Sequence, residues 1–147
     1  MKSRFFFVSI LILSVVNCYS QNVIKIYVAS AAEDPVGETL VYKVKEEFRK
    51  SKSFDLQLTD KGDPKFVLKL TSMDKFKGDN QSSGYETLFT IILMYDNGIK
   101  SDGFRHSYLS SQIGFSGRKR IDEVATEIVA YSLEAITKLL EAIQRNN

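Results

Sequence analysis

The sequence predicts a single α+β domain whose one, mostly antiparallel sheet carries two amphipathic helices packed mainly on one face. Several short stretches alternate apolar and polar residues, as strands do, and two longer stretches repeat apolar residues at helical spacing. Turn-forming residues separate the later strands so closely that we expect consecutive strands to pair antiparallel. No internal repeat and no linker divides the sequence. The expected order of elements is β-α-β-β-β-β-α.

The first half of the domain has the pattern of a strand, a helix and two further strands. Residues 22–29 alternate apolar and polar side chains, which indicates a strand. Asp34 is suited to cap a helix at residues 35–50, because its carboxylate can accept the first free backbone N–H groups. Short strands are expected at residues 54–59 and 66–73. The helix repeats apolar residues every four positions: Val36, Leu40, Val44 and Phe48.

The second half continues with two strands and a long helix. A polar loop is expected at residues 74–84, and residues 85–95 form a strand that is apolar on both faces and should lie inside the sheet. Asn97 and Gly98 favour a hairpin turn into a last strand at residues 104–115. The final helix has apolar residues at helical spacing: Ile121, Val124, Ala125, Ile128, Ile136, Leu139 and Ile143.

Residues 1–20 have the layout of a secretory signal peptide. Lys2 and Arg4 precede an apolar stretch at residues 5–16 that is too short to span a membrane. Removal of this signal peptide leaves residues 21–147 as the single α+β domain. The sequence therefore predicts a secreted or periplasmic protein.

The residues around the expected cleavage point allow two interpretations. Cys18 and Ser20 fit the small-residue positions of a signal-peptidase site, which places the mature amino-terminus at Gln21. In the alternative, Cys18 carries a lipid anchor, although Asn17 before it matches a lipobox poorly. Contact with a membrane is expected only if Cys18 is lipidated.

Composition and charge exclude several classes of function. The 147 residues carry a formal net charge of +2, and this excess lies in the expected signal peptide. So small a charge does not favour binding to nucleic acid. Because the chain has one cysteine and one histidine, we expect no internal disulfide, no metal site and no cofactor.

Two polar residues, one near each end of the last strand, are candidates for catalysis. His106 alternates in phase with Tyr108 and out of phase with Leu109 and Ile113, and the sequence names no group that would orient its imidazole. Ser116 lies in GFSGRK, which is not G-x-S-x-G and lacks the companion motifs of Ser/Lys enzymes. We therefore expect no catalytic residue, and a small hydrolase with an unrecognised site is the alternative.

A basic turn at residues 114–120 is a candidate for binding an anion or a lipid headgroup. Gly117, Arg118, Lys119 and Arg120 directly precede the final helix. Free backbone N–H groups, the helix dipole and three cationic side chains favour negative charge at this point. A solvated turn that joins strand to helix explains the same residues.

An apolar patch is expected on the second face of the sheet. Leu88, Ile92 and Met94 cannot share a face with the apolar residues between them, because neighbouring residues of a strand point to opposite faces. If both helices cover one face, these three side chains need a protein partner, a second copy of the chain or the 74–84 loop to cover them.

The stretch SFDLQLTDKGDPKFVLKLTSM, which follows a strand and a capped helix, resembles a pattern that recurs in small bacterial envelope domains. The amino-terminal domain of TolB and the small lipopolysaccharide-assembly lipoprotein share this order of helix, short strand, acidic turn and apolar strand. The similarity covers residues 23–73, and DPVGETLVYKVKEEFRKS also resembles the start of small secreted bacterial proteins. The resemblance implies a cell-envelope protein that works by contact, and it carries no catalytic residues. The predicted function is a non-catalytic binding or assembly module.

Overall fold

The computed structural model describes residues 23–60, 62–76, 84–98 and 106–146. The predicted signal peptide with Cys18, and most of the predicted 74–84 loop, lie outside the described residues. The α+β class and the order of elements are as predicted. The elements are β1 (Ile24–Ala32), α1 (Pro35–Lys50), β2 (Phe54–Gln57), β3 (Lys65–Asp74), β4 (Glu86–Asp96), β5 (His106–Gly117), a 3-10 turn (Arg118–Arg120) and α2 (Ile121–Arg145).

The five strands form one mixed sheet in the order β2-β1-β3-β4-β5. The predicted antiparallel pairing holds for β3, β4 and β5, which form a meander. In contrast, β1 pairs in parallel with both β2 and β3. The turn between β2 and β3 therefore does not form a hairpin, because β1 lies between those two strands. Helix α1 makes the crossover that a parallel β1–β2 pair requires.

The core lies between one face of the sheet and both helices, as predicted. Tyr42 on the outer side of α1 is 59% exposed, whereas the side of α1 that faces the sheet is buried. The core side chains from the sheet are Ile26, Val28, Phe54, Phe66, Leu68, Leu70, Phe89, Ile91 and Leu93. The helices contribute Val36, Leu40, Val41, Val44, Phe48, Ile121, Val124, Ala125, Ile128 and Ile136.

The start of α1 is anchored to the sheet by a buried polar group. The Asp34 carboxylate accepts a hydrogen bond from the backbone N–H of Gly37 at 2.8 Å, as predicted for a cap, and another from the Thr87 hydroxyl at 2.8 Å. A Cβ on Gly37 would lie 1.8 Å from the Ser72 hydroxyl oxygen. Only glycine therefore allows the first turn of α1 to pack directly on β3.

A β-bulge near Leu109 changes which residues of β5 share a face. The pairing of β4 with β5 shifts between Leu93 and Met94, which pair with Ser110 and Tyr108 respectively. Leu109 packs against the core, whereas Ile113 is 74% exposed on the opposite face. The prediction that Leu109 and Ile113 lie on one side is wrong, because the extra residue of a bulge reverses the alternation.

The end of β5 also differs from the sequence prediction. The strand continues to Gly117, so Gly114 lies in the strand and not in a turn at residues 114–120. Gly114 faces the ring of Phe89, and a Cβ there would lie 2.5 Å from the Phe89 Cζ atom. The basic turn consists only of Arg118–Arg120.

Helix α2 spans 25 residues, and its buried stripe is shorter than the sequence pattern indicates. Ile136 is fully buried, whereas Leu140 and Ile143 are about half exposed.

Lys43 on α1 forms a 2.8 Å ion pair with Asp122 in the first turn of α2. Among the described helices, none combines the length and the apolar character that crossing a membrane requires.

Candidate functional site

The sheet face that lies opposite both helices is the main candidate for a functional surface, and we call it the open face. Cross-strand pairing places residues of β3, β4 and β5 side by side in five rows. The rows are Met73–Leu88–Phe115, Thr71–Thr90–Ile113, Lys69–Ile92–Ser111, Val67–Met94–Tyr108 and Lys65–Asp96–His106. The face is therefore mostly apolar at one end and charged at the other.

The apolar side chains of β3, β4 and β5 that are at least partly exposed on the open face form a group that we call the open-face patch. Its members are Met73, Leu88, Ile92, Met94, Tyr108, Ile113 and Phe115. The three predicted partner-binding residues, Leu88, Ile92 and Met94, lie in it, and Leu88 is 38% exposed. Sequence reasoning missed the more exposed members on β5, because the bulge that turns Ile113 toward this face has no sequence signature.

Strand β5 is one edge of the sheet, and apart from the bulge at Leu109 it lacks the usual protection of an edge. Within residues 23–60, 62–76, 84–98 and 106–146, no strand pairs with its outer side. Residues 107–117 contain no charged residue and no proline. Natural proteins guard edges with such residues, with bulges or by keeping the edge strand short. The opposite edge, β2, has four residues and carries Asp55, whereas β5 is regular over residues 110–117.

The charged end of the open face is built around Asp96. Its side chain is fully buried, and one carboxylate oxygen accepts a hydrogen bond from the backbone N–H of Gly98 at 2.9 Å. The other oxygen lies 3.7 Å from the Lys65 ammonium and 3.9 Å from His106 Nε2. His106 thus has a carboxylate beside it that the sequence alone does not identify.

Asp60, from the segment between β2 and β3, completes a group with Asp96 and His106. One ligand atom of each residue lies within 4.8 Å of the corresponding atoms of the other two. Gly98 brings the two loops together, since a Cβ on it would lie 2.9 Å from the Gly62 carbonyl oxygen. Sequence reasoning missed this group, because its members meet only through strand register and loop packing.

The four predicted anion-binding residues are Gly117, at the end of β5, and the three residues of the basic turn, Arg118–Arg120, and two of the three cations already contact other groups. Arg118 donates from Nε to the Gly84 carbonyl at 2.9 Å, and its guanidinium lies 5.7 Å from the Tyr85 ring centroid. Arg120 forms a 2.8 Å ion pair with Glu123. Lys119 is exposed, and Gly117 ends β5.

The two candidates for catalysis lie on opposite faces of the sheet. Ser116 is 1% exposed, and its hydroxyl donates a 3.2 Å hydrogen bond to the Gly117 carbonyl. His106 lies on the open face in the row of Lys65 and Asp96. The two side chains therefore do not form a nucleophile and base pair.

Comparison with known proteins identifies no family for this chain. No protein-family model matches it, and no curated protein matches it. Among solved structures, it is similar to a PelC dodecamer from Paraburkholderia phytofirmans, with a TM-score of 0.41 and 17% sequence identity. The match covers 79% of this chain and 90% of that chain. At this TM-score the likeness carries no argument about assembly or function.

Proposed function

We propose that this protein is a non-catalytic binding and assembly module, secreted or periplasmic, that associates with a second copy of its own chain. The contact surface is the open-face patch together with the neighbouring edge of β5. The observation that supports this proposal most is that the exposed apolar side chains and the uncharged edge belong to the same strand. The location is supported by the sequence of residues 1–20 alone.

The exposed side chains of β5 supply an apolar driving force for association. Tyr108, Ile113 and Phe115 are 65%, 74% and 59% exposed, although each is large and mostly apolar. Full burial of a side chain of this size stabilises by about 1.5–3 kcal/mol relative to exposure. A strand with three such residues exposed on one face is more typical of an interaction site than of a solvated face.

The edge of β5 supplies the geometry for self-association. An edge strand presents backbone N–H and C=O groups that another strand can pair with. When two copies meet about a two-fold axis, the same strand lies on both sides of the contact. Every residue of such an interface occurs twice, so a change at Ile113, in the middle of the regular segment 110–117, acts twice.

Sedimentation velocity of the purified protein over a range of concentrations tests the proposal. We expect the average mass to rise toward that of a dimer, and Ile113→Lys to weaken association at least about tenfold, because it places two ammonium groups near the axis. Tyr42→Lys is the matched control, since Tyr42 is a comparably exposed aromatic residue on α1, remote from the open face. A wild-type protein that stays monomeric throughout, or equal association of both variants, would contradict the proposal.

A further inference from the structure

We infer that Asp60, Asp96 and His106 form a binding site for a divalent transition-metal ion at the charged end of the open face. One imidazole nitrogen and two carboxylate oxygens lie within 4.8 Å of one another. The inference concerns a different set of residues from the open-face patch, so it stands whether or not the protein self-associates.

The donor atoms suit an ion such as Zn²⁺ better than Ca²⁺ or Mg²⁺. Imidazole is a ligand for transition metals, and carboxylates bind the same ions, whereas Ca²⁺ and Mg²⁺ prefer sites made only of oxygen. Ligand bonds of about 2.0–2.2 Å require ligand atoms separated by about 3–3.6 Å. Asp60 and His106 are exposed whereas Asp96 is buried, so closing the three ligand atoms from 4.8 Å around an ion requires small movements of the two exposed side chains.

Asp96 is the fixed ligand of the group. It is fully buried, and the backbone N–H of Gly98 holds one of its oxygens at 2.9 Å. The oxygen near His106 Nε2, at 3.9 Å, is the one that would bind the ion. A hydrogen bond of this kind orients a ligating carboxylate and reduces the freedom that metal binding has to remove.

The position of Lys65 allows a test that distinguishes a metal site from a chance cluster of charges. Its ammonium lies 3.7 Å from Asp96, so it neutralises that carboxylate when no ion is bound and repels an ion when one is. Removal of this charge should therefore strengthen metal binding. We expect Lys65→Met to lower the dissociation constant for Zn²⁺ at least about tenfold.

The inference is tested by titrating the untagged, metal-free protein with ZnCl₂. Calorimetry measures the binding, and NMR of the imidazole protons monitors His106. Because the chain has one histidine, every imidazole signal belongs to His106. We expect one equivalent to bind and to shift these signals. His106→Ala and Asp60→Asn should each weaken binding at least about tenfold. Asp55→Asn, a change at an exposed aspartate of β2, is the matched control and should leave binding unchanged.

Three results would overturn the inference. One is that an equivalent of Zn²⁺ leaves the imidazole signals of His106 unchanged. Another is that His106→Ala and Asp60→Asn bind Zn²⁺ as tightly as the wild-type protein, which would mean adventitious binding elsewhere. The last is that Lys65→Met, shown to be folded by its amide spectrum, binds no more tightly, which would exclude Asp96 as a ligand.

Discussion

The Lys65 ammonium lies 3.7 Å from the Asp96 carboxylate, and the two side chains are 2% and 0% exposed at the charged end of the open face. A buried ion pair of this kind contributes little net stability compared with two apolar residues, because both charges lose their hydration. Removal of one partner is costly, since the other charge stays buried and unpaired. A change to either residue at the charged end of the open face should therefore lower the stability of the fold.

Lys65→Met should lower the free energy of unfolding by about 3 kcal/mol, because it leaves the buried Asp96 carboxylate without its neutralising charge. Urea unfolding measures this loss. Lys138→Met is the control, since Lys138 pairs with Glu134 on the exposed side of α2 and its removal should leave stability nearly unchanged. Equal effects of both changes would show that the Lys65–Asp96 pair is solvated in solution.

Asp34→Ala should cost about 2 kcal/mol, because it removes the cap of α1 and leaves the buried Thr87 hydroxyl without one of its acceptors. Thermal or urea unfolding provides the measurement. Glu38→Ala, at an exposed position of the same helical turn, should have a much smaller effect. A loss for Asp34→Ala no larger than that for Glu38→Ala would contradict the anchoring role of Asp34.

Gly37→Ala should destabilise the protein by about 1–3 kcal/mol, because the new methyl group meets Ser72 and Asp34 at 1.8 and 2.7 Å. Ser72→Ala alone should be nearly neutral, since in the described part of the chain the buried Ser72 hydroxyl has no hydrogen-bond partner. The double variant should recover part of the loss, as measured by a double-mutant cycle. Strict additivity of the two changes would rule out the close contact.

The surface ion pair between Lys25 and Asp63 should give a small, salt-sensitive dependence of stability on pH. The hydrogen bond from Lys25 lowers the pKa of the Asp63 carboxyl below its ordinary value of 3.8. A lowered pKa in the folded state stabilises the fold above pH 3.8, and this contribution disappears as the pH falls through the folded-state value. The stability difference between wild type and Asp63→Asn should therefore shrink in acid and in high salt. A difference that grows in acid would contradict the sign.

The helix α1 was predictable from residues close together in the sequence, whereas the strands that pair with β1 were not predictable. Asp34 caps a helix that begins at the next residue, so the relevant groups are close in the sequence. The parallel pairing of β1 with β2 and β3 joins strands that α1 separates in the sequence, so no local pattern indicates it. The polar turn between β2 and β3 has the composition of a hairpin turn although it connects strands that do not touch.

The candidate site was also predictable only where local sequence pattern determines it. Alternation along β4 places Leu88 on the open face, and the structure agrees. The bulge at Leu109 changes the phase of β5, so the exposure of Ile113 could not be read from alternation. Asp96 meets His106 through the register of β4 with β5, and register between distant strands leaves no mark in residue spacing.

Hydrogen exchange of the backbone amides of β5, measured at low and at high protein concentration, tests the proposed assembly most directly. Within the described part of the chain, the amides of residues 110–117 that point away from β4 face no partner strand, so they should exchange rapidly when the protein is dilute. We predict that they become protected at high concentration, and that Ile113→Lys abolishes the added protection while Tyr42→Lys preserves it. Exchange at these amides that is independent of concentration, or added protection on α1 instead, would contradict assembly through the edge of β5.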